Sequence, residues 1–332
     1  MLKIGLDIGY GNTKIITDRG SKLCFPSLAK HGEKVNLDKM LSATGDYVAT
    51  INNQTWFIGD MAAKEHKFAI RAFDDNLRYN NPAFQAMLAT ALAVVSEPDE
   101  KIMLVTGLPL VSYKQSREDF KKFLLDFTAE VEIEGDIKNI KVKDVYVFPQ
   151  AAGIFLNPAC EEFKQDIETG DIATVIDIGY RTTDVASFYY NGEDFELIMD
   201  NSFTYDSGMV SVFRDLADKI SADLNMFDVS LESAERTYLT GKCRTNGVEK
   251  DYKEINQFIA NKFVESLADE YRQRGPGKDQ NNLVLMAGGG SLALHDSLSQ
   301  SFPKAKFVPD AQFANAAGFL DVARKLSIAL FE

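Results

Sequence analysis

The stretch Leu-Asp-Ile-Gly-Tyr at residues 6–10 occurs a second time, as Ile-Asp-Ile-Gly-Tyr, at residues 176–180. In both copies an apolar segment ends in an aspartate and a glycine, and small polar residues follow. Such a repeat predicts two related halves, each with a carboxylate beside a glycine turn. Because glycine lets backbone N–H groups approach a ligand closely, this arrangement suits a metal-bound polyphosphate that both halves bind.

The periodicity around each copy predicts the same β-meander. Asn191-Gly192 is a strong hairpin signal in the second meander. Helical and strand patterns alternate after both meanders, so an α/β fold is expected. A polar, turn-rich stretch at about residues 30–80 is predicted to be a small inserted subdomain. The predicted meander strands are 2–8, 13–17 and 23–25 in the first half, and 172–178, 183–190 and 195–200 in the second.

The composition of the 332 residues argues against several classes of protein. The net charge of −13 argues against direct binding to nucleic acid, which clustered Lys and Arg side chains drive. Three scattered cysteines without a C-x-x-C pair argue against zinc and disulfides and favour a cytoplasmic location. No segment approaches the ~20 apolar residues of a membrane span. The first predicted strand starts at residue 2, so no signal peptide is expected.

Five parts of the sequence are candidates for one ligand site. In the first, residues 7–14, Lys14 could meet phosphate oxygens while the turn amides hold them. This part is neither a Walker loop nor a Rossmann fingerprint, because G-x-x-x-x-G-K-[ST] is absent and a strand follows the turn. The other parts are residues 177–184, residues 148–153 between the halves, the strand and three glycines at 283–291, and a weaker candidate, the predicted helix at 231–241.

In this order the parts resemble the phosphate, connect and adenosine motifs of the actin, Hsp70 and sugar-kinase superfamily. The resemblance implies an actin-like fold, with two RNase H-like domains around a nucleotide cleft, each a mixed five-stranded sheet with flanking helices. Domain I is then expected at 1–149 plus 310–332, and domain II at 150–309. Finer patterns resemble the plasmid-segregation ParM/StbA group: Phe-Ile-Gly-Asp-Met-Ala at 57–62, Val-Thr-Gly-Leu-Pro at 105–109 and Gln-Phe-Ala-Asn-Ala-Ala-Gly at 312–318.

The resemblance also implies ATP or ADP with Mg²⁺ as ligands. Asp7 and Asp177 would hold the hydrated Mg²⁺, Asp177 would be catalytic, and Lys14 would contact the β- and γ-phosphates. Gln150 would be the second catalytic residue; its amide is no useful base, so it could only align the attacking water. The other expected nucleotide-binding residues are Gly9, Gly11, Asn12, Thr13, Gly179, Arg181, Thr182, Thr183, Glu232, Arg236, Gly288, Gly289, Gly290 and Ser291.

Simpler interpretations exist for single residues. An aspartate before a glycine is most often a turn former, although the repeat and the motif order favour function here. Lys14 alone would be a surface lysine, and Gln150 could cap the helix that follows it. Glu232 and Arg236, four residues apart on a helix, could form a surface ion pair only. Asp184 could reach the metal through water or serve only the strand end.

Together these features predict a slow, Mg²⁺-dependent ATP hydrolase that polymerises into dynamic filaments. Its partners would be copies of itself and a DNA-binding adaptor that links the filament to plasmid DNA. A small-molecule (sugar-type) kinase on the same scaffold and a non-polymerising nucleotide-binding scaffold remain alternatives. An Hsp70-type chaperone is disfavoured because the chain ends at Glu332, soon after the last predicted helix. A membrane-attached bacterial actin is disfavoured because no amphipathic terminus is found.

Overall fold

The computed structural model describes residues 1–32, 46–64, 70–71, 78–225, 228–245, 247–277 and 281–329. The strands are β1 (Leu2–Ile8), β2 (Asn12–Thr17), β3 (Lys22–Pro26), β4 (Leu28–His31), β5 (Asp46–Ile51), β6 (Gln54–Gly59), β7 (Ile70–Arg71), β8 (Ile102–Leu108), β9 (Thr128–Ile133), β10 (Asp136–Pro149), β11 (Ile172–Ile178), β12 (Thr183–Tyr190), β13 (Phe195–Tyr205), β14 (Lys242–Thr245), β15 (Val248–Asp251), β16 (Asn281–Ala287) and β17 (Lys306–Phe307).

The α-helices are α1 (Asp60–Lys64), α2 (Pro82–Val95), α3 (Leu110–Asp126), α4 (Ala152–Phe155), α5 (Met209–Leu224), α6 (Leu231–Thr240), α7 (Lys253–Arg274), α8 (Gly289–Ala293), α9 (His295–Ser301) and α10 (Ala314–Ala329). None of the helices in the described ranges has the length and apolar character needed to span a membrane.

The chain divides into two compact units. The first unit comprises Met1–Cys160 and Phe313–Glu332, and the second comprises Glu161–Gln312. The sequence-based boundary at residues 149 and 150 would assign residues 150–160 to the second domain, whereas their contacts are with the first unit. The reason is that the N–H of Gln150 donates to the carbonyl of Leu108 at the end of β8, and α4 packs on α10.

The first unit is built on a sheet with the strand order β3-β2-β1-β8-β10-β9-β5-β6-β4-β7 among the described residues. β1, β2 and β3 form the antiparallel meander, and β8 and β10 run parallel to β1. The long strand β10 pairs with β8 through its second half and with β9 through its first half, so it joins two parts of the sheet. Much of the predicted insertion at residues 30–80 lies outside the described residues; its strands β4 to β7 belong to this same sheet.

The second unit has a five-stranded sheet with the order β13-β12-β11-β16-β17. This is the arrangement of β3-β2-β1-β8-β10: an antiparallel meander beside two parallel strands. The repeat in the sequence is therefore a repeat of topology, and the predicted α/β class is confirmed. β13 continues to Tyr205, five residues beyond the predicted end at 200, because a register shift between Val185 and Ser187 lets it keep pairing with β12.

Helix α2 illustrates how the sequence builds the core of the first unit. The Asn81 side chain accepts a hydrogen bond from the N–H of Ala83 at 2.9 Å and caps the helix. Pro82 occupies the first helical position, where a backbone N–H would have no partner within the helix. The residues that follow are apolar on all sides, and most of them are buried. A helix with that pattern must be covered all round, and it packs with β1, β8 and β10 residues in one cluster.

Helix α10 packs on β1 and α4 at backbone distance. A Cβ placed on Gly318 would overlap the carbonyl oxygen of Gly153, and a Cβ on Gly5 would overlap the carbonyl oxygen of Ala316. These glycines are needed because the neighbouring backbones occupy the space of a side chain. The close packing places the first turn of α10 next to residues 150–153.

Gly318→Ala is expected to destabilise the first unit. The added methyl group would meet the backbone of Gly153, so we expect a loss of about 2 kcal/mol despite the better helix propensity of alanine. The single tryptophan of the chain, Trp56, is buried in this unit, so urea unfolding can be followed by its fluorescence. Gly289→Ala is the control, because its Cβ position faces open space among the described residues outside its own helix. Equal unfolding midpoints for the two variants would contradict the packing.

Candidate functional site

The turn between β1 and β2 places a lysine beside an aspartate. The N–H of Gly9 donates to the carbonyl of Asn12 at 3.1 Å and closes the turn. Asp7 and Lys14 are register partners on the two strands, and Lys14 Nζ lies 3.1 Å from Asp7 Oδ2. A Cβ on Gly9 would lie 3.0 Å from Lys14 Nζ, so the missing side chain leaves room for the ammonium group.

The same turn is supported from the side of β3. The N–H of Ser27 donates to the carbonyl of Gly11 at 2.9 Å, and the hydroxyls of Ser27 and Thr13 share a hydrogen bond of 3.0 Å. Thr13 is fully buried. Its hydroxyl therefore serves the fold, and any contribution of Thr13 to a ligand would have to come through the backbone.

Gln150 lies in this half of the site. Its Nε2 donates to Asp7 Oδ1 at 3.0 Å, and both side chains are buried, with 5% of Asp7 and 8% of Gln150 exposed. Each oxygen of Asp7 thus has one donor, Gln150 on Oδ1 and Lys14 on Oδ2. The sequence analysis did not predict this bond, because 143 residues separate its partners. We call residues 7–14 together with Gln150 the first half-site.

The turn between β11 and β12 repeats this geometry in the second unit. The N–H of Gly179 donates to the carbonyl of Thr182 at 2.9 Å. The register partner of Asp177 is Asp184, at the strand position that Lys14 occupies in the first half. Asp184 is buried, and it accepts a hydrogen bond from the hydroxyl of Thr204. The repeated strand position therefore carries a cation in one unit and a carboxylate in the other.

Gly208, which the sequence analysis missed, supports this second turn. A Cβ on Gly208 would lie 2.8 Å from the carbonyl oxygens of both Gly179 and Tyr180. The next two residues, at the start of α5, donate their N–H groups to the same carbonyls, at 3.1 Å from Met209 and 2.7 Å from Val210. The signal in the sequence was a glycine at the first position of the helix predicted at about 208–224. Residues 177–184 and Gly208, with the glycines 288–290 described next, form what we call the second half-site.

The three glycines after β16 have different roles. Gly288 has a φ of +81°, and a Cβ there would overlap the Asp177 carboxylate and the Ile178 carbonyl. Gly290 also packs against Ile178, whereas the Cβ position of Gly289 has no other part of the described chain within 4 Å beyond its neighbours and its own helix. The buried Ser291 hydroxyl donates to the Gly288 carbonyl at 2.8 Å and holds the turn. Gly289 alone of the three leaves open space over bare backbone, where a flat base or a ribose could lie.

Of the remaining candidates, Thr183 is fully buried, and its hydroxyl donates to the carbonyl of Ser207 at 2.9 Å, so this side chain serves the fold. The others lie at or near the surface of the second unit. Glu232 and Arg236 are both exposed on α6, which Ser230 caps through the N–H of Ser233. Arg181 is exposed in the turn after β11, and Thr182 is partly buried. These positions leave the side chains accessible, and their binding roles stay predictions.

The chemistry of these residues fits a nucleotide with Mg²⁺. Lys14 and the open turn at Gly9 could hold phosphate oxygens, and the backbone at Gly289 could support a base or a ribose. Asp7 in the first unit and Asp177 in the second are each carboxylates, the kind of oxygen ligand that Mg²⁺ prefers, and their binding of the ion stays a prediction.

Two family models match the chain. The model of actin-like proteins, N-terminal domain, matches residues 5–153, and the model of archaeal actin homologues, MreB-like, C-terminal, matches residues 175–300. The chain belongs to the actin-like superfamily. The resemblance inferred from the sequence motifs is thereby confirmed, and each model covers one copy of the repeated meander.

One relative in sequence and two solved structures of the same fold are similar to the chain over nearly its whole length. An archaeal actin homologue of Thermoplasma volcanium is 27% identical over 98% of this chain and 99% of its own length. The structure of a 15-stranded ParM filament from Clostridium botulinum has a TM-score of 0.87 at 22% identity, over 98% of this chain and 99% of the other. An archaeal actin homologue in complex with ADP has a TM-score of 0.81 at 23% identity, over 98% and 100%.

Lys14→Met is expected to destabilise this actin-like protein more than the loss of an exposed lysine would. The carboxyl group of the nearly buried Asp7 would lose the cation beside it, which costs about 3 kcal/mol. Lys3→Met is the matched control: Lys3 and Asp18 also lie 3.1 Å apart, but their side chains are 23% and 21% exposed, so we expect a loss of at most ~1 kcal/mol. Urea unfolding followed by Trp56 fluorescence measures both. Equal losses in the free energy of unfolding for the two variants would show that burial does not make Asp7 depend more strongly on its lysine.

Proposed function

We propose that this chain binds ATP with Mg²⁺ through the two half-sites, hydrolyses it slowly and assembles with copies of itself into dynamic filaments. The observation that carries the proposal is the Asp7 carboxylate shared by Lys14 and Gln150. This carboxylate holds the Lys14 ammonium, which can bind phosphate oxygens, and the Gln150 amide, which can bind a water molecule.

The residues of the first half-site have two separate roles in hydrolysis, one toward the phosphate and one toward the water molecule. Lys14 and the turn amides hold phosphate oxygens and balance their charge. The Nε2 of Gln150 donates to Asp7, which leaves Oε1 as the amide atom that can accept a hydrogen bond from water. Gln150 thus orients the water without removing its proton, and hydrolysis is slow.

The second half-site has a different charge and a different task. Asp177 and Asp184 lie side by side on neighbouring strands, so this turn favours a hydrated cation over a phosphate. Bound Mg²⁺ would supply positive charge that neutralises the phosphate oxygens. Gly288 leaves the Asp177 carboxylate accessible where a side chain would displace it.

Assembly is supported by the similarity to ParM. The ParM of Clostridium botulinum forms a 15-stranded filament, and its fold matches this chain over nearly its whole length. We propose plasmid DNA segregation in the cytoplasm as the biological role. Since the chain has a net charge of −13, its link to DNA would be an adaptor protein that supplies the basic surface.

Light scattering with different nucleotides tests the assembly. We expect ATP to raise the scattering of the purified chain, and the signal to decay as phosphate is released. A non-hydrolysable ATP analogue should give polymer that persists, and ADP should give little. A chain that stays monomeric at high concentration with ATP and Mg²⁺ would contradict filament formation. Phosphate release or transfer that requires an added sugar would indicate a kinase.

Gln150→Ala is expected to slow phosphate release by about 100-fold, because the water loses its orienting group. Nucleotide affinity should change little, and the polymer should last longer after a pulse of ATP. Single-turnover phosphate release and nucleotide titration measure the two effects. Gln115→Ala, at an exposed position of α3, is the control and should behave as the unchanged chain. Hydrolysis at the normal rate in Gln150→Ala would remove Gln150 from the mechanism.

A further inference from the structure

The backbone at Gln150 has an unusual conformation. Gln150 follows β10 and donates its N–H to the carbonyl of Leu108 at 2.7 Å. The next residue, Ala151, is fully buried and has a φ of +69°. A residue with a side chain rarely adopts this region, which costs about 1 kcal/mol or more unless neighbouring groups enforce it. Something close to Ala151 must therefore hold it there.

The group that holds Ala151 comes from the far end of the chain. Asn315, in the first turn of α10, is 5% exposed, and its Oδ1 accepts the N–H of Ala151 at 3.1 Å. The same oxygen would lie 2.9 Å from a Cβ on Gly153, so the absence of a side chain there gives Asn315 access. The partners are 164 residues apart in sequence.

These contacts fix the direction of the Gln150 side chain. The N–H groups of Gln150 and Ala151 belong to the two peptide groups on either side of the Gln150 Cα. Leu108 holds the first peptide group and Asn315 holds the second, so both backbone dihedrals of Gln150 are restrained. A Cβ on Gly107 would lie 3.0 Å from the Gln150 Cγ, so the absence of a side chain at this position of β8 leaves room for the Gln150 side chain. The amide is thereby directed at Asp7.

We propose that Asn315 is a positioning residue for Gln150: by accepting the Ala151 N–H, it holds the peptide group that aims the Gln150 amide. The inference rests on the proposed function, since the role of Gln150 in hydrolysis is itself proposed. Asn315 touches neither nucleotide nor water in this scheme. Its effect on the reaction passes through the orientation of one backbone turn.

Two readouts test the inference. In Asn315→Ala, amide hydrogen exchange at Ala151 should become at least about tenfold faster, because the N–H loses its acceptor. Single-turnover phosphate release should slow by about tenfold, while nucleotide affinity stays within about twofold, because misplacing a catalytic group affects the reaction more than binding. Asn315→Asp keeps an oxygen at the same place and should restore most of the protection at Ala151.

Asn157→Ala is the matched control. Asn157 is also nearly buried, and its Oδ1 accepts the N–H of Ala159 at 3.0 Å in the same unit, a bond that involves neither Gln150 nor Ala151. We expect it to leave exchange at Ala151 and phosphate release unchanged. In a Gln150→Ala background, adding Asn315→Ala should cause no further slowing, because its effect passes through the missing side chain.

Three outcomes would overturn the inference: unchanged exchange at Ala151 in Asn315→Ala, equal slowing by Asn157→Ala, or the full extra slowing by Asn315→Ala when Gln150 is already alanine. The last two would show that Asn315 acts through general stability alone. A chain that releases no phosphate at all would overturn the proposed function instead. The Ala151 exchange rates report on the contact whether or not the chain hydrolyses ATP.

Discussion

The carboxylate of Asp7 is almost fully buried, and each of its oxygens has a donor within 3.1 Å. A buried charge is tolerated only when it is paired and hydrogen-bonded, so the position of Asp7 dictates the positions of Lys14 and Gln150. The glycine turn admits the lysine, and the backbone at residues 150 and 151 presents the glutamine. The first half-site is in this sense one ion with its two partners.

The repeated meander explains why the two half-sites differ although their backbones match. Both turns are closed by the same bond, from Gly9 to Asn12 and from Gly179 to Thr182. The residue across from the aspartate is Lys14 in one unit and Asp184 in the other. Because the backbone is shared, one strand position changes the local charge and hence the class of ion that each turn favours.

Much of the fold was predictable because its signals are local. The meander strands were predicted to within two residues at nearly every end, since alternating apolar residues and turns that contain Gly, Asn or Asp mark them. The extension of β13 to Tyr205 was missed, because a register shift between β12 and β13 leaves no trace in the pattern of one strand. Residues 150–160 belong to the first compact unit, whereas the sequence-based boundary placed them in the second domain, because their partners lie far along the chain.

The sequence alone determined the repeat, the α/β class, the superfamily and the identities of the charged residues beside the glycine turns. These features follow from short sequence patterns, whose residues are close together in the chain and can be recognised without knowledge of the fold. Only the tertiary structure decided that Gln150 reaches Asp7, that Asn315 holds Ala151 and that Gly208 supports the second turn. Each of these contacts joins residues that are distant in sequence. The close packing of strands, helices and turns in the folded chain brings them together.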